Sequence, residues 1–254
     1  MKIVRVRTEG DEIAYGVAEP DGIAIYRGTP FVAWEPTDTL IPFEEAHLLS
    51  PVFPTKVVCV GRNYAEHAQE FGNELPDEPV IFIKPSTSVI GPGAPIVLPP
   101  EATEVHHEAE LAVVVSRVSH RVAAEDAAAH ILGYTAGNDV SARDLQKKDG
   151  QWTRAKGFDS FCPLGPAIET ELDPAGLRIS CEVNGELRQE ASTDDMVFGV
   201  AEVFAFVSRV MTLLPGDVIL TGTPSGVGPI RPGDRVEVSI ERVGTLANPV
   251  IAGS

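Results

Sequence analysis

The chain is poor in cysteine, in aromatic residues and in positive charge. Its three cysteines, Cys59, Cys162 and Cys181, are odd in number and widely spaced. That excludes a disulfide framework and a paired-cysteine metal site, and a reducing cytoplasm is the expected compartment. Lys and Arg total 20 against 37 Asp and Glu, for a net charge of -17. A field of that sign repels phosphate backbones and anionic lipid surfaces, so neither nucleic acid nor a membrane is an expected partner. No apolar run approaches the roughly 18 to 20 residues of a membrane span, and the opening MKIVRVRTEGDE lacks the apolar stretch of a secretion signal. Internal repeats and a Rossmann-type alternation of strands and helices are also missing.

What is present is a globular, turn-rich composition with 23 Gly, 21 Pro and 43% hydrophobic residues, long enough for one large domain and a small appendage. Residues 2–7, 12–18 and 22–26 are short β-type runs separated by turn residues, and they predict a small meander. Five prolines between Thr29 and Pro54 predict an extended connector, which places a domain boundary near residue 50: residues 1–50 as a small β domain with its connector, 51–254 as the larger domain. Beyond it, strands are expected at 56–60, 80–84, 111–115, 218–221 and 236–240. A hairpin over 179–189 is closed by Asn184-Gly185. Helices are expected at 63–71, capped by Asn63, at 123–132 and at 195–214. The class is α+β with β dominant.

Glu108 and Glu110 stand two apart at a strand entry, so alternation puts both carboxylates on one face about 6.6 Å apart along the strand. Two carboxylates that close call for a proton or a hard cation, and oxygen-only ligands favour Mg²⁺, Mn²⁺ or Ca²⁺. Asp139 is the expected third ligand. Spacing alone favours the wet face of an edge strand in a chain this acidic, and a zinc site using His106 or His107 is weaker than either reading. His67 and Glu70, three apart on one helical face, can share a hydrogen bond and form a proton-transfer dyad, or be a solvated face without a task. Arg62, Lys84, Arg143, Arg154 and Lys156 lie near these residues in sequence, as local positive charge must if an acidic chain is to bind an acid. The run Thr221-Gly222-Thr223-Pro224-Ser225-Gly226 offers hydroxyls and N–H groups but lacks the lysine and spacing of a nucleotide-phosphate loop.

Taken together, the segments VGRNYAEH (60–67), HEAEL (107–111), NDVSARD (138–144), AKGFD (155–159) and LPGD (214–217) through TGTP (221–224) resemble, in order and spacing, the fumarylacetoacetate hydrolase family over about residues 56–254. The resemblance implies a mixed β-sandwich roll, commonly a homodimer, in which Glu108, Glu110 and Asp139 bind Mg²⁺ or Mn²⁺. It implies that His67 and Glu70 sit on a lid helix, that Lys156 polarises a substrate oxygen, and that Arg143, Gln146, Lys84 and Thr223, with Arg62 and Asn63, bind the substrate. Longer members of the family carry a further metal-binding Asp where this chain has Val60, so it looks like a short bacterial-type member. The implied substrate is a small oxo-acid. The expected reaction is C–C cleavage beside a pyruvate-like head, as in oxaloacetate decarboxylation or acylpyruvate hydrolysis. Isomerisation of a 2-hydroxyhepta-2,4-diene-1,7-dioate is the alternative, and a non-catalytic metal and oxo-acid binding protein is the alternative of another class.

Overall fold

A computed structural model describes residues 1–254 except residues 9, 71 and 73. The chain opens with β1 (Lys2–Arg7), β2 (Ile13–Glu19), β3 (Gly22–Thr29), β4 (Ala33–Ile41) and β5 (His47–Leu49). It continues through β6 (Val57–Gly61), α1 (Ala65–Glu70), β7 (Val80–Lys84), β8 (Val89–Ile90), β9 (Ile96–Leu98), β10 (Val105–His107) and β11 (Ala109–Val115). After a 3-10 segment at Ala124–His130 come β12 (Ile131–Asn138), β13 (Ser141–Ala142), α2 (Arg143–Asp149), α3 (Thr153–Lys156) and β14 (Cys162–Glu169). The last stretch holds β15 (Arg178–Val183), β16 (Glu186–Ser192), α4 (Val200–Val210), β17 (Val218–Leu220), β18 (Gly228–Pro229), β19 (Arg235–Ile240) and β20 (Gly244–Ala252).

Among the described residues, one large sheet runs β4-β3-β2-β1-β14-β12-β11-β17-β6-β7, and a second runs β16-β15-β19-β20-β9. Strand β11 lies inside the first. Its Ala109, Leu111, Val113 and Val115 face one core cluster, shared with the second sheet and α4, while Ala112 and Val114 face another. That explains why LAVVV (111–115) reads as a continuous apolar run: a strand covered on both faces has no polar face to show. β17 inserts between β11 and β6, antiparallel to the first and parallel to the second. The strand-dominated α+β class expected from sequence is the observed one, and the hairpin over 179–189 closes at Asn184-Gly185 with φ of 55° and 78°, the left-handed pair that a two-residue turn requires.

Four expectations about elements are corrected. The proline-rich connector contains β4, paired to β3 through Ile23↔Ile41 and Thr29↔Ala33. β4 is the outermost strand of its sheet, where Pro36, set opposite Tyr26 at a register shift, withholds no N–H from a second neighbour. Residues 123–132 are not an α-helix: the alanines form a 3-10 segment and Ile131 already pairs with Val115 as part of β12, so sheet pairing overrides alanine's helical preference. The helix expected over 195–214 begins only at Val200, because Asn63 captures the preceding backbone: its C=O accepts from Val197 N at 2.7 Å, and its side chain binds both N–H and C=O of Phe198 at 2.8 and 3.0 Å. Asn63 therefore does not cap α1. That helix is six residues long, and its expected end at residue 71 lies outside the described residues. The first five strands join the main sheet directly, β1 pairing with β14 at Lys2↔Glu169 and Ile3↔Ile168.

Candidate active site

The carboxylates come from two neighbouring strands. Glu108 precedes β11, Glu110 lies within it, and Asp139 follows β12, with Asp139 N donating to Glu108 O at 2.9 Å across the pair. Their side chains are 3%, 1% and 1% exposed, which rules out the wet face of an edge strand. One ligand oxygen from each lies within 4.8 Å of the others. Among the described residues this is the one acidic or histidine-containing group of that kind. His106 and His107 take no part: His106 pairs with Glu104 at 3.0 Å and His107 with Gln189 at 3.0 Å.

Three cations are buried against this cluster. Lys156 Nζ, at the end of α3, donates to Glu108 Oε2 and Asp139 Oδ2, both at 2.7 Å. Arg143, at the start of α2, binds Glu108 Oε1 and reaches Gln146 Oε1 at 2.9 Å. Lys84 Nζ, fully buried at the end of β7, donates to Asp139 Oδ1 at 2.5 Å and to Val140 O at 3.2 Å. Burial pushes the Glu108 carboxyl upward, but Arg143 and Lys156 outweigh it and hold the group well below the usual carboxylate range. Glu110 is driven the other way, well above its ordinary value, by burial and then by Asp139 and Glu108. Burial lowers the Lys156 ammonium, yet Asp139 and Glu108 leave it raised and therefore cationic. A buried carboxylate pressed by two others is the donor set that a hard divalent cation satisfies, so these three side chains could hold a divalent metal ion.

The cluster floors a cavity of about 200 Å³ lined by Arg62, His67, Glu108, Glu110, Asp139, Arg143, Gln146, Lys156 and Thr223, with Val60, Gly61, Phe82, Lys147 and Trp152 completing the wall. His67 is held from α1, its Nδ1 3.2 Å from Glu70 Oε2. Burial lowers its pKa below the usual value, Glu108 and Glu70 act upward, and Arg143 acts downward. From the far side, Gly222 N donates to Glu110 Oε2 at 2.6 Å, so this N–H serves the protein's own acid and not a bound one.

Thus the structure gathers nine of the twelve expected site residues around one cavity and assigns the others different places. Lys84 stands behind Asp139, off the cavity wall. Asn63, fully buried, spends its amide on Phe198 and Thr221 O and has no group left for substrate. Glu70 is off the cavity wall, its Oε2 3.2 Å from His67 Nδ1 and its Oε1 accepting from Gly226 N at 3.3 Å. Arg154, one of the positive groups near the site in sequence, is a half-exposed partner of Asp149 on the surface. Sequence reasoning missed the Phe82–Trp152 wall, whose rings meet edge to face at 5.1 Å. One signal existed: Gly61 follows an apolar strand, and a Cβ there would lie 2.7 Å from the Trp152 ring.

A strand-dominated fold whose central strands present a buried Glu-Glu-Asp cluster beside a helix carrying His67 and Glu70 is the arrangement to compare with enzyme scaffolds. Residues 56–251 match the family described as fumarylacetoacetate (FAA) hydrolase C-terminal, and residues 1–51 that described as Rv2993c-like, N-terminal. The chain belongs to the fumarylacetoacetate hydrolase family. It is 54% identical to Protein Rv2993c of Mycobacterium tuberculosis over 213 residues, 83% of this chain and 80% of that protein. It is 47% identical to the mitochondrial oxaloacetate tautomerase Fahd2a of Rattus norvegicus over 224 residues, 84% of this chain and 72% of that one. The crystal structure of 5-carboxymethyl-2-hydroxymuconate delta-isomerase from Mycobacterium smegmatis, 48% identical, superposes with a TM-score of 0.94 over 100% of both chains.

Proposed function

We propose that this enzyme is a divalent-metal-dependent tautomerase or isomerase of small oxo-dicarboxylic acids, with oxaloacetate as the simplest substrate. The observation that carries the reading is that His67, steadied by Glu70 at 3.2 Å, lines the same small cavity as the Glu108-Glu110-Asp139 cluster. The names of the rat and M. smegmatis relatives, a tautomerase and an isomerase, support the same choice. Mg²⁺ or Mn²⁺ held by Glu108, Glu110 and Asp139 would supply Lewis acidity toward the 2-oxo group and its neighbouring carboxylate.

The chain's own groups do the rest. Interconversion of keto and enol forms needs a base at C3 and a positive environment at the C2 oxygen, where negative charge develops. His67 takes the C3 proton, and Glu70 orients the ring and stabilises its charged form. Lys156, kept cationic by its carboxylate neighbours, stabilises the enolate oxygen. Arg143, Gln146 and Thr223 hold the carboxylate of the pyruvate-like head, and Arg62, in left-handed backbone (φ 60°) at the cavity wall, faces the distal acid. The proton then returns to carbon or oxygen without a bond between carbons being broken.

The same enolate would follow decarboxylation or acyl hydrolysis, so the test must separate them. The chelator-stripped enzyme is mixed with enol oxaloacetate, and ultraviolet absorbance is followed with and without Mg²⁺ or Mn²⁺ while pyruvate is assayed. Metal-dependent loss of enol without pyruvate, abolished in His67→Ala, is the expected result. Enzyme-dependent pyruvate would replace this reading by C–C cleavage. No metal-dependent change in oxaloacetate, acetylpyruvate, fumarylpyruvate or a hydroxyheptadienedioate would overturn it.

A further inference from the structure

Gln189 lies on β16, in the second sheet, 1% exposed and outside the cavity wall, yet its amide reaches both sides of the site. Its Oε1 accepts from Ala109 N at 3.0 Å, the backbone group between the two glutamates, and meets His107 Nδ1 at 3.0 Å. Its Nε2 donates to Thr223 Oγ1 and to Pro224 O, both at 2.8 Å. All four hydrogen-bonding positions of the carboxamide are used.

Two of those partners fix its orientation. Ala109 N–H can only donate and Pro224 C=O can only accept, so turning the amide over would set donor against donor and acceptor against acceptor. Two consequences follow. His107 must be the Nδ1–H tautomer, because Oε1 has no proton to give. Thr223 Oγ1 must accept from Gln189, so its single hydroxyl proton is not spent on that bond and is available to the cavity that Thr223 lines. A substrate carboxylate or oxo group is acceptor-only, and a hydroxyl constrained to donate suits it, whereas one already donating elsewhere would present lone pairs to an anion.

We propose that Gln189 is a positioning residue that presents the Thr223 hydroxyl to the substrate as a donor. It does so while clamping the Thr223 loop to Ala109, the first residue of β11, between Glu108 and Glu110. The proposal rests on the reading above that Thr223 contacts an anionic substrate. Gln189→Glu places an acceptor against Thr223 and reverses its hydroxyl; Thr223→Val removes the hydroxyl; Thr223→Ser keeps it.

The test combines kinetics with a measurement on the unaltered protein. Steady-state tautomerisation of oxaloacetate with Mg²⁺ is compared for the wild type, the three single variants and the Gln189→Glu/Thr223→Val double variant. Gln189→Glu and Thr223→Val should each raise KM about tenfold, the effect of one hydrogen bond to a charged group, with kcat within about threefold. Thr223→Ser, which keeps the hydroxyl, should raise KM clearly less than Thr223→Val does, and the double variant should be no worse than about twofold beyond either single one. A Gln189→Glu effect that multiplies undiminished in the Thr223→Val background, or that falls on kcat alone, overturns the proposal. So does an unchanged KM in Thr223→Val. Should Gln189→Glu fail to fold, ¹⁵N NMR of the Mg²⁺-loaded wild type decides: His107 protonated on Nδ1 supports the assigned amide orientation, and protonation on Nε2 overturns it. If no oxo-acid is turned over, the functional reading fails separately, and calorimetric binding of oxalate with Mg²⁺ to wild type and Thr223→Val still reads the donor. Weaker binding to Thr223→Val supports the proposal, and equal binding overturns it.

Discussion

The carboxylate of Asp217, just before β17, is fully buried and collects five hydrogen bonds. Oδ1 accepts from Thr55 N at 3.1 Å, Thr55 Oγ1 at 2.6 Å and Lys56 N at 3.2 Å; Oδ2 accepts from Lys56 Nζ at 2.5 Å and Leu214 N at 2.8 Å. It thereby fixes the start of β6 to the start of β17, a parallel pair whose C-terminal ends lead side by side into Arg62 and Thr221. Asp217→Asn keeps the shape and can keep the three Oδ1 bonds. Its new NH₂ group, however, meets the Lys56 ammonium and the Leu214 N–H, donor against donor. Two charge-assisted bonds at about 1.5–3 kcal/mol each are lost, and the Lys56 share must be discounted because that side chain is 20% exposed and can turn to water. The expected loss is about 3 kcal/mol, a large part of the 5–15 kcal/mol typical of a whole domain. Equilibrium urea unfolding at pH 7 reads it: with a slope near 3 kcal/mol/M, the midpoint should fall by about 1 M at unchanged slope. Thr55→Val, which removes one hydroxyl bond and leaves the charge, should cost only about 1 kcal/mol. A loss below about 1 kcal/mol for Asp217→Asn, or equal losses for the two variants, would refute the view that this buried charge ties the two strands together.

Glu108→Gln should weaken Mn²⁺ binding at least tenfold by calorimetry and abolish most activity, since it removes one ligand and leaves Arg143 and Lys156 without their carboxylate; retention of both would dismiss the site. Burial lowers His107 to about 4, so between pH 6.5 and 4 the unfolded chain binds a proton that the folded chain refuses. Stability must therefore fall with acidity across that window, by roughly 2 kcal/mol from this group between pH 7 and 4.5, and NMR titration of the imidazole should show no protonation near pH 6. Gly222→Ala should lower stability by about 3 kcal/mol in thermal or urea unfolding. Its φ is +102° and the added Cβ would lie 2.7 Å from Cβ of Asn63, a side chain already fixed by three hydrogen bonds, so an unchanged melting temperature would contradict this account.

Local chemistry was the legible part of the sequence. Asn184-Gly185 announces its own hairpin, and the strands at 80–84 and 236–240 need only their alternation and length. The Glu108-Glu110 pair could be seen as two carboxylates on one face, but their burial could not, because it depends on β12 and β17, which arrive from residues about 30 and 110 positions further along the chain. The same distance hides the start of α4, which is set by Asn63, and the role of Gln189, whose partners lie 80 and 34 residues away. The prolines of the connector misled for another reason: proline forbids a central strand and not an outer one. Lys84 carries the composition of a substrate ligand, and only the turn of β7 shows it standing behind Asp139.

β17 is three residues long, and within the main sheet it is the strand that joins β11, bearing the carboxylates, to β6, leading into the His67 helix. During synthesis both of those strands are complete more than 100 residues before Val218 emerges. A ribosome-bound chain stopped short of it holds the acidic cluster and the His67 helix with no main-chain ladder between β11 and β6. The last seventh of translation therefore sets the earliest moment at which the two sides of the site can be joined. Refolding of the full chain should be slow for the same reason, since the entropy of closing that long loop must be met before the short strand returns any bonding.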